Sequence, residues 1–429
     1  MSKSVAETRA LVEKSLRRRY WAEKRFRAYG MVAVMLGIAF VFFLFGTIFS
    51  KGHTAFVQTR LTLDVFYDPE VIDPEGQRNP EALAGANYNL VVRNALRELF
   101  PDVQERAELR QLSALVSSSA AHELQRRVTE DPRRLGTREK LEFLAGANVD
   151  QLLKGAIDRN QPEATRVLTD KQLGWIDALK ERADLHLAFS TTFLTNGDSR
   201  EPEQAGVRGA LVGSVLTLTV TLLLSFPIGV AAAVYLEEFS KRSRWTDLIE
   251  VMINNLAAVP SIVFGLLGLA VFLNFFGLPR SAPLVGGLVL TLLTLPTIII
   301  ASRAALNGVP PSIREAALGV GASKLQMVAH HVLPLALPGM LTGTIIGMAR
   351  ALGETAPLLM IGMVAFIVDI PGGITDPSTV LPVQIFLWAD SPERAFQERT
   401  SGAIIVLLLF LVVMNATAVI LRRRFERRW

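Results

Sequence analysis

The sequence has no cysteine and only five histidines among its 429 residues. A chain without cysteine forms no disulfide, which suits a protein that crosses from one compartment to another. No HExxH or GxSxG motif is present, and His122 and His186 are isolated, so neither a metal centre nor an activated serine is predicted. The nucleotide-binding pattern G-x-x-x-x-G-K-[ST] is also missing, because the glycines and lysine of residues 319–324 have the wrong spacing. We therefore expect no catalytic residue, no metal site and no cofactor bound by this chain.

Long apolar runs are what the sequence does contain. Hydrophobic residues make up 50% of the chain, and they gather in six runs close to or above the about 20 residues that a membrane-spanning helix needs. The runs cover residues 31–50, 211–235, 253–276, 284–301, 339–368 and 403–421. The first is long for a signal peptide, so we interpret it as a retained anchor, with cleavage as the alternative. The sequence thus predicts a mainly α, polytopic membrane protein with six transmembrane helices.

The positions of lysine and arginine predict how these helices are oriented. Basic residues cluster before the first run and after the second, fourth and sixth runs. They include Arg17, Arg18, Arg19, Lys24, Lys241, Arg242, Arg244, Arg303, Arg314, Lys324, Arg422, Arg423, Arg424, Arg427 and Arg428. Because short loops rich in lysine and arginine stay in the cytoplasm, both termini are predicted to be cytoplasmic.

The insert, residues 51–208, separates the first two runs and is polar. Its residues 51–203 include 20 basic and 25 acidic side chains, a net charge of −5. Because the whole chain has a net charge of +5, the remaining residues together carry +10. The basic excess therefore lies at the membrane flanks and does not indicate nucleic-acid binding. Apolar residues alternate over 57–65 and predict a strand, residues 185–194 predict a returning strand, and leucines at helical spacing lie between them. We expect a small α+β domain outside the membrane, whose role its residues do not reveal.

Two short helices are predicted between the fourth and fifth runs. Ser312 with Glu315, and Ser323 with Gln326, each fit the capping box that starts a helix. Pro334 is expected to interrupt the second helix. Small side chains between the two boxes would let the backbone of another protein approach closely. The alternative is that Glu315 only caps a helix and the alanines after it only favour one.

This segment resembles the coupling loop in the membrane subunits of bacterial ABC importers. The residues that match the pattern E-A-A, glycine, L-P are Glu315, Ala316, Ala317, Gly321, Leu333 and Pro334. The chain departs from the pattern at His331, where the family usually has isoleucine. The resemblance implies that residues 302–338 dock onto a separate cytoplasmic ATPase, and that this ATPase, not the present chain, binds ATP and Mg²⁺.

The fifth run contains the charged residues Arg350 and Glu354. A helix starting at residue 339 would place Arg350 about 16 Å deep, with Glu354 one turn further on the same face. Charges at such depth pair or face an aqueous cavity, so the two residues line a translocation pathway or gate, or else form a structural ion pair. Pro357 predicts a kink or hinge at Glu354.

Asn254 and Asn255, near the start of the third run, are further candidates for the pathway. The alternative is that they pack one helix against another through hydrogen bonds.

A narrower resemblance covers roughly residues 206–421. The segments R-A-L-G-E-T-A-P-L-L (350–359), V-P-S-I-V (259–263) and F-P-I-G-V-A-A-A-V-Y-L-E-E-F (226–239) are similar to the A-type permease subunits of phosphate ABC importers. The resemblance implies a type I importer permease fold in the bacterial inner membrane and phosphate transport by alternating access. It also implies three partners, namely a second, C-type permease subunit, a cytoplasmic ATPase dimer and a periplasmic phosphate-binding protein.

These inferences divide the chain into five parts. They are a cytoplasmic segment (1–29), a first transmembrane helix (30–50), an extracytoplasmic, periplasmic domain (51–208), a permease domain with helices 2–6 (209–421) and a basic cytoplasmic tail (422–429). The chain would then be a permease in contact with lipid and not an enzyme. A permease for phosphonate, sulfate or molybdate is the nearest alternative. A membrane sensor is another, because receptors often have an outer domain between two spans, but four further spans and the coupling loop favour transport.

Overall fold

The computed structural model describes residues 5–241 and 243–425. The chain divides into two units, Met1–Lys51 and Gly52–Trp429. Three sequence predictions lie partly outside the described residues: the first four residues of the cytoplasmic segment, Arg242 in the basic loop, and residues 426–429 of the basic tail.

The first unit is helical. Helix α1 (Val5–Gly52) runs through both the predicted cytoplasmic segment and the first predicted span without a break. Its apolar part belongs to a candidate membrane span, Arg18–Phe56. Large apolar side chains such as Phe40, Phe42 and Phe43 are exposed along it. A lipid bilayer is the environment in which such an apolar surface is stable.

The insert contains a sheet of three strands, β1 (Val57–Phe66), β2 (Arg138–Leu144) and β3 (Leu185–Phe189), in the order β2-β1-β3 with both pairs antiparallel. The strand predicted from the alternation over 57–65 is confirmed, and its residues Leu61, Leu63 and Val65 are fully buried in the core. The predicted returning strand is shorter than expected. It ends at Phe189 because the Ser190 side chain accepts a hydrogen bond from the Phe193 N–H and caps the next helix.

Eight helices of the described chain surround this sheet. They are α2 (Pro69–Ile72), α3 (Pro80–Gly85), α4 (Tyr88–Leu99), α5 (Arg106–Ser113), α6 (Ser119–Glu130), α7 (Ala147–Leu153), α8 (Asp170–Glu181) and α9 (Thr191–Thr195). Apolar residues from α4, α6 and α8 join those of β1 and β2 in one core, in which Leu96, Leu124 and Phe143 are almost fully buried.

The remainder of the chain is helical. Its helices are α10 (Arg208–Val234), α11 (Arg244–Ala257), α12 (Ser261–Leu267), α13 (Pro283–Asn307), α14 (Pro311–Gly319), α15 (Lys324–Met327), α16 (Leu333–Gly353), α17 (Ala356–Met360), α18 (Leu381–Ala389) and α19 (Ala395–Phe425). Wider π-turns extend three of them, at Tyr235–Phe239, Gly268–Phe275 and Val328–Val332. In the described residues, five helices are long and apolar enough to cross a membrane, and a bent pair is a sixth candidate.

That bent pair corrects the predicted third span. Residues 253–276 do not form one straight helix, because α11 and the helix beginning at Ser261 meet at an angle of 103°. Pro260 explains the break: it has no N–H to donate, and its ring disfavours a helical conformation at Val259 before it.

The predicted fifth span is wrong at both ends. Its helix stops at Gly353, well short of residue 368, and a short helix and a loop follow. At the other end, Pro334 does not interrupt the helix, which continues from Lys324 to Gly353. The π-turn Val328–Val332 just before Pro334 changes the hydrogen-bond register, so the missing proline N–H is accommodated without a break.

Small residues allow the long helices to approach each other closely. A β-carbon on Gly287 of α13 would lie 2.5 Å from the side chain of Val220 on α10, and one on Gly343 of α16 would lie 2.1 Å from Ala301 on α13. No real β-carbon tolerates these distances, so glycine is required for α10, α13 and α16 to form one bundle.

Candidate functional site

The predicted coupling loop consists of α14, a glycine turn, α15 and the π-turn that leads into α16. The predicted capping box of Ser312 and Glu315 is wrong. Pro310 is the residue before the helix, Pro311 begins it, and no side chain caps it, so Ser312 already lies inside the first turn. The second box is confirmed: the Ser323 hydroxyl accepts from the Gln326 N–H at 3.3 Å, and the Gln326 side chain accepts from the Ser323 N–H at 2.9 Å.

Gly321 makes the turn between the two helices possible. Its φ angle is +88°, in the left-handed region that side chains other than glycine rarely adopt. The turn is closed by the Ala322 N–H, which donates to the Ala317 carbonyl at 3.1 Å. The sequence prediction of a helix, a glycine turn and a second helix is therefore confirmed.

The six predicted coupling residues do not all face the same way. Glu315, Ala316 and Gly321 are exposed, whereas Ala317 is buried and Leu333 and Pro334 are partly buried. Ala317 packs in a core with Met327 and Val332 of the loop and with Ala233 and Leu306 from the ends of α10 and α13. The loop is therefore packed directly against the ends of two long helices.

The outer surface of the loop is apolar. Leu318, Val320 and Leu325 are 49%, 85% and 67% exposed, and His331 is exposed nearby. Exposed apolar groups on one short helical hairpin are typical of a surface that another protein covers.

Arg314 ties the loop to the helix bundle. Its Nη2 lies 2.7 Å from Glu238 Oε1, and the Glu238 side chain is only 7% exposed. The same guanidinium donates to the carbonyls of Val309 at 2.7 Å and Leu306 at 2.9 Å. Helix α14 is thereby attached to the π-turn at the end of α10, to the last turn of α13 and to Val309 just after it.

A second charge cluster lies beside the first. Arg303 of α13 pairs with Glu237 at 2.5 Å and with Glu250 of α11 at 2.6 Å. Sequence reasoning missed both clusters. The available signal was the pair of adjacent acids, Glu237 and Glu238, at the end of an apolar run where basic residues are the rule.

Arg350 and Glu354 are close to each other but are not buried in mid-helix. Arg350 lies in the last turn of α16, and its Nε is 3.5 Å from Glu354 Oε1. Their side chains are 50% and 22% exposed within the protein, and the depth of Arg350 in the membrane stays a prediction. The predicted break at Glu354 is confirmed, because the helix ends at Gly353 and Glu354 has an extended conformation.

Pro357 lies just beyond this break, buried in the first turn of α17. A β-carbon on Gly265 of α12 would lie 2.7 Å from its Cα, so the two helices touch there. Asn254 and Asn255 lie exposed on α11, before the 103° bend. Among the described residues, neither asparagine is hydrogen-bonded to Arg350 or Glu354. The structure thus brings together Arg350 and Glu354 and leaves the asparagines apart.

Comparison with known proteins places this arrangement in a family. A family model described as "Binding-protein-dependent transport system inner membrane component" matches residues 225–429. The chain is 32% identical over 229 residues, which is 53% of its length and 74% of the relative's, to "Phosphate transport system permease protein PstA 1" of Mycobacterium tuberculosis (strain CDC 1551 / Oshkosh). The chain belongs to the binding-protein-dependent transport permeases. As a member of this permease family it is a multi-pass inner-membrane protein, and not an enzyme.

Two further relatives match the permease over different fractions of their own length. It is 34% identical over 172 residues to "Probable ABC transporter permease protein YqgI" of Bacillus subtilis (strain 168), which is 40% of the chain and 58% of that relative. It is 29% identical over 216 residues to "Phosphate transport system permease protein PstA" of Pasteurella multocida (strain Pm70), 50% of the chain and 76% of the relative. Residues 13–163 match a second family model, described as "Domain of unknown function (DUF3333)".

Among solved structures, the permease is similar to "Inward facing conformations of the MetNI methionine ABC transporter", with a TM-score of 0.40 and 18% identity. This similarity covers 52% of the chain and 96% of that structure.

Proposed function

We propose that this chain is the transmembrane permease subunit of an ATP-driven importer of inorganic phosphate. The observation that carries the proposal is its 32% identity over 74% of the length of a mycobacterial protein whose name is phosphate transport system permease. The family model that matches residues 225–429 covers the coupling loop and the Arg350–Glu354 pair. Both features belong to the part of the chain that a transport cycle would use.

In this proposal a separate ATPase binds ATP and Mg²⁺ and grips the apolar surface of Leu318, Val320 and Leu325. Closure of the ATPase dimer pulls on α14 and α15. The core around Ala317 and the Arg314–Glu238 pair pass that movement to α10 and α13. The bundle then opens outward to receive phosphate, and ATP hydrolysis returns it to the inward-open state. This cycle is alternating access.

The finer membrane arrangement is also a proposal. Counting the bent pair of α11 and α12 as one span supports six transmembrane helices, and the clusters of lysine and arginine favour a cytoplasmic position for both termini. The insert then lies in the periplasm as a small α+β domain. The partners are a C-type permease subunit beside this chain, an ATPase dimer below it and a phosphate-binding protein above it.

Arg350, Glu354 and Pro357 form the proposed gate, with Asn254 and Asn255 on the pathway only if the bend between α11 and α12 moves during transport. The positive charge of Arg350 attracts an anion. Glu354, whose Oε1 lies 3.5 Å from Arg350 Nε, competes with the anion for Arg350 when the pair is closed. The end of α16 at Gly353 and the buried Pro357 supply the hinge.

Phosphate uptake by cells that lack this chain tests the gate. The cells receive the wild type, Arg350→Gln or Glu354→Gln, with Arg280→Gln as the control because Arg280 is an exposed arginine in another loop. We expect uptake to fall at least tenfold with Arg350→Gln, to become leaky or poorly coupled with Glu354→Gln, and to be unchanged with the control. Unchanged uptake in both gate variants would end the assignment of this pair to the pathway.

A further inference from the structure

A polar cleft of about 670 Å³ lies in the insert, remote from the coupling loop and the gate. One wall is formed by residues 114–118 and 146–167 of the insert. Residues 201–203 and residues 392–395, which lead into α19, also line it. The cleft therefore joins the insert to the last long helix of the chain.

Glu203 is the buried acid of this cleft. Its residue is only 3% exposed, and its Oε2 has no hydrogen-bond partner among the described residues. The position is fixed by its neighbours: the Glu203 carbonyl accepts from Gln58 Nε2 at 2.5 Å, and Gln204 Nε2 donates to Ser117 Oγ at 3.2 Å and to Ser118 Oγ at 3.0 Å. A buried carboxyl oxygen without a donor is destabilising, so its presence beside a preformed cleft points to a missing donor.

The charges around the cleft indicate that the missing hydrogen-bond donor is positively charged. Four acids line it, against two arginines, Arg166 and Arg394. The acids are Asp158, Glu201, Glu203 and Glu393. Arg166 is fully engaged, because it donates to three backbone carbonyls at 2.7 to 3.0 Å and pairs with Asp170. Arg394 and the buried Arg399, whose charge acts on Glu203, offset the four acids only in part, so the cleft attracts a cation.

The four acids do not meet at one point. In the described part of the chain, no group of three or more acids and histidines is close enough together to hold a metal ion. The cleft is large enough for several heavy atoms, and of its four acids Glu203 alone is buried while the other three are exposed. This geometry suits an elongated organic cation with one charged end at Glu203.

We propose that the cleft binds a primary ammonium or guanidinium group, with Glu203 as the anchoring carboxylate. The group belongs either to a free small molecule, such as a polyamine, or to a lysine or arginine side chain of a protein on the same side of the membrane. Neither source depends on what the permease transports.

An occupied cleft would affect the membrane helices. Lys154 of α7 lies 2.6 Å from Asp150 and 2.8 Å from Glu398 of α19, with only 3% of its side chain exposed. Arg399, the next residue, is buried and donates to the Ala55 carbonyl at 3.2 Å. A ligand in contact with residues 392–395 therefore acts on a helix that is already fastened to the insert.

Calorimetric titration of the purified full-length chain in detergent tests the proposal. The probes are spermidine, L-arginine and the peptide acetyl-Gly-Lys-Gly-amide. We expect wild-type protein to bind at least one probe and Glu203→Gln to bind it at least tenfold more weakly. Glu130→Gln, an exposed acid on the same domain but outside the cleft, should bind as the wild type does.

A gain of affinity separates this inference from a folding defect. Arg394→Gln removes the cation that opposes the acids and should tighten binding about threefold or more, which a damaged protein would not do. Tighter binding of spermidine than of the peptide supports a free ligand, and the reverse supports a protein side chain. No binding of any probe to the wild type, or equal binding by wild type and Glu203→Gln, would overturn the proposal.

Discussion

Replacing Arg314 by methionine removes the charged attachment of the coupling helix and leaves its apolar stem in place. Arg314 Nη2 is 2.7 Å from Glu238 Oε1, and the two side chains are 22% and 7% exposed. Removing one partner of a buried ion pair costs about 3–5 kcal/mol, and each backbone carbonyl that loses its donor adds about 1 kcal/mol. Because the guanidinium is partly exposed and so partly screened by water, we expect a total loss of about 3 kcal/mol in the free energy of unfolding.

The measurement is equilibrium unfolding of the purified protein in mixed detergent micelles, with Arg280→Met as the matched control. A double-mutant cycle with Glu238→Gln isolates the pair, because the second substitution removes the carboxylate that Arg314→Met leaves unpaired. We expect the double variant to lose about 2 kcal/mol less in the free energy of unfolding than the sum of the losses in the two single variants. In the assembled transporter, ATP hydrolysis should continue while uptake falls. Single losses below about 0.5 kcal/mol, or strictly additive ones, would refute the role given to this pair.

The remaining predictions concern the turn, the insert and its junction with α19. Gly321→Ala places a side chain at a φ of +88° and should destabilise the coupling turn by about 1 kcal/mol. Gly319→Ala is the control, because Gly319 lies in open space at an ordinary φ and its substitution should not destabilise the turn. The transport rates of the two variants check this prediction. Lys154→Met leaves two buried carboxylates without their cation and should lower the free energy of unfolding by about 3 kcal/mol, measured as above; a loss no greater than that of an exposed lysine would contradict it. Burial raises the pKa of Asp198, whose Oδ1 accepts from Trp388 Nε1 at 2.9 Å. The stability supplied by its neutral form is therefore present below the ordinary aspartate pKa of about 4 and is lost as the pH rises through the higher folded-state pKa. The fluorescence of Trp388 should follow that titration, and a flat profile identical to that of Asp198→Asn would contradict it.

Periodic sequence patterns predicted the parts of the fold that depend on local chemistry. The alternation over residues 57–65 predicted β1, and the Ser323–Gln326 box with Gly321 predicted the start of α15 and the turn before it. In each case the residues that decide the structure lie within ten positions of one another.

Predictions failed where a proline meets an apolar run. Hydropathy alone cannot show whether a proline bends a helix, as Pro260 does, or is absorbed by a π-turn, as Pro334 is. It also cannot show that α16 ends at Gly353, since the residues beyond are equally apolar. The helix that was expected to continue past Arg350 to residue 368 therefore ends within one turn of it.

The ion pairs of Glu237 and Glu238 were not predicted from the sequence because they join distant segments. Glu238 and Arg314 are 76 residues apart, and Glu237 and Arg303 are 66 residues apart. No spacing rule relates such positions. They are brought together by tertiary packing, of α10 against α13 for Arg303 and of α14 against the ends of both helices for Arg314.

The central claim is that this chain conducts phosphate under the control of a separate ATPase. The direct measurement is uptake of radiolabelled phosphate by proteoliposomes that contain this chain with its permease partner, the ATPase and the binding protein. Our account predicts ATP-dependent phosphate uptake that is lost when this chain is omitted and that is not competed by excess sulfate. Uptake of sulfate or phosphonate in place of phosphate, or phosphate uptake that persists without this chain, would contradict it.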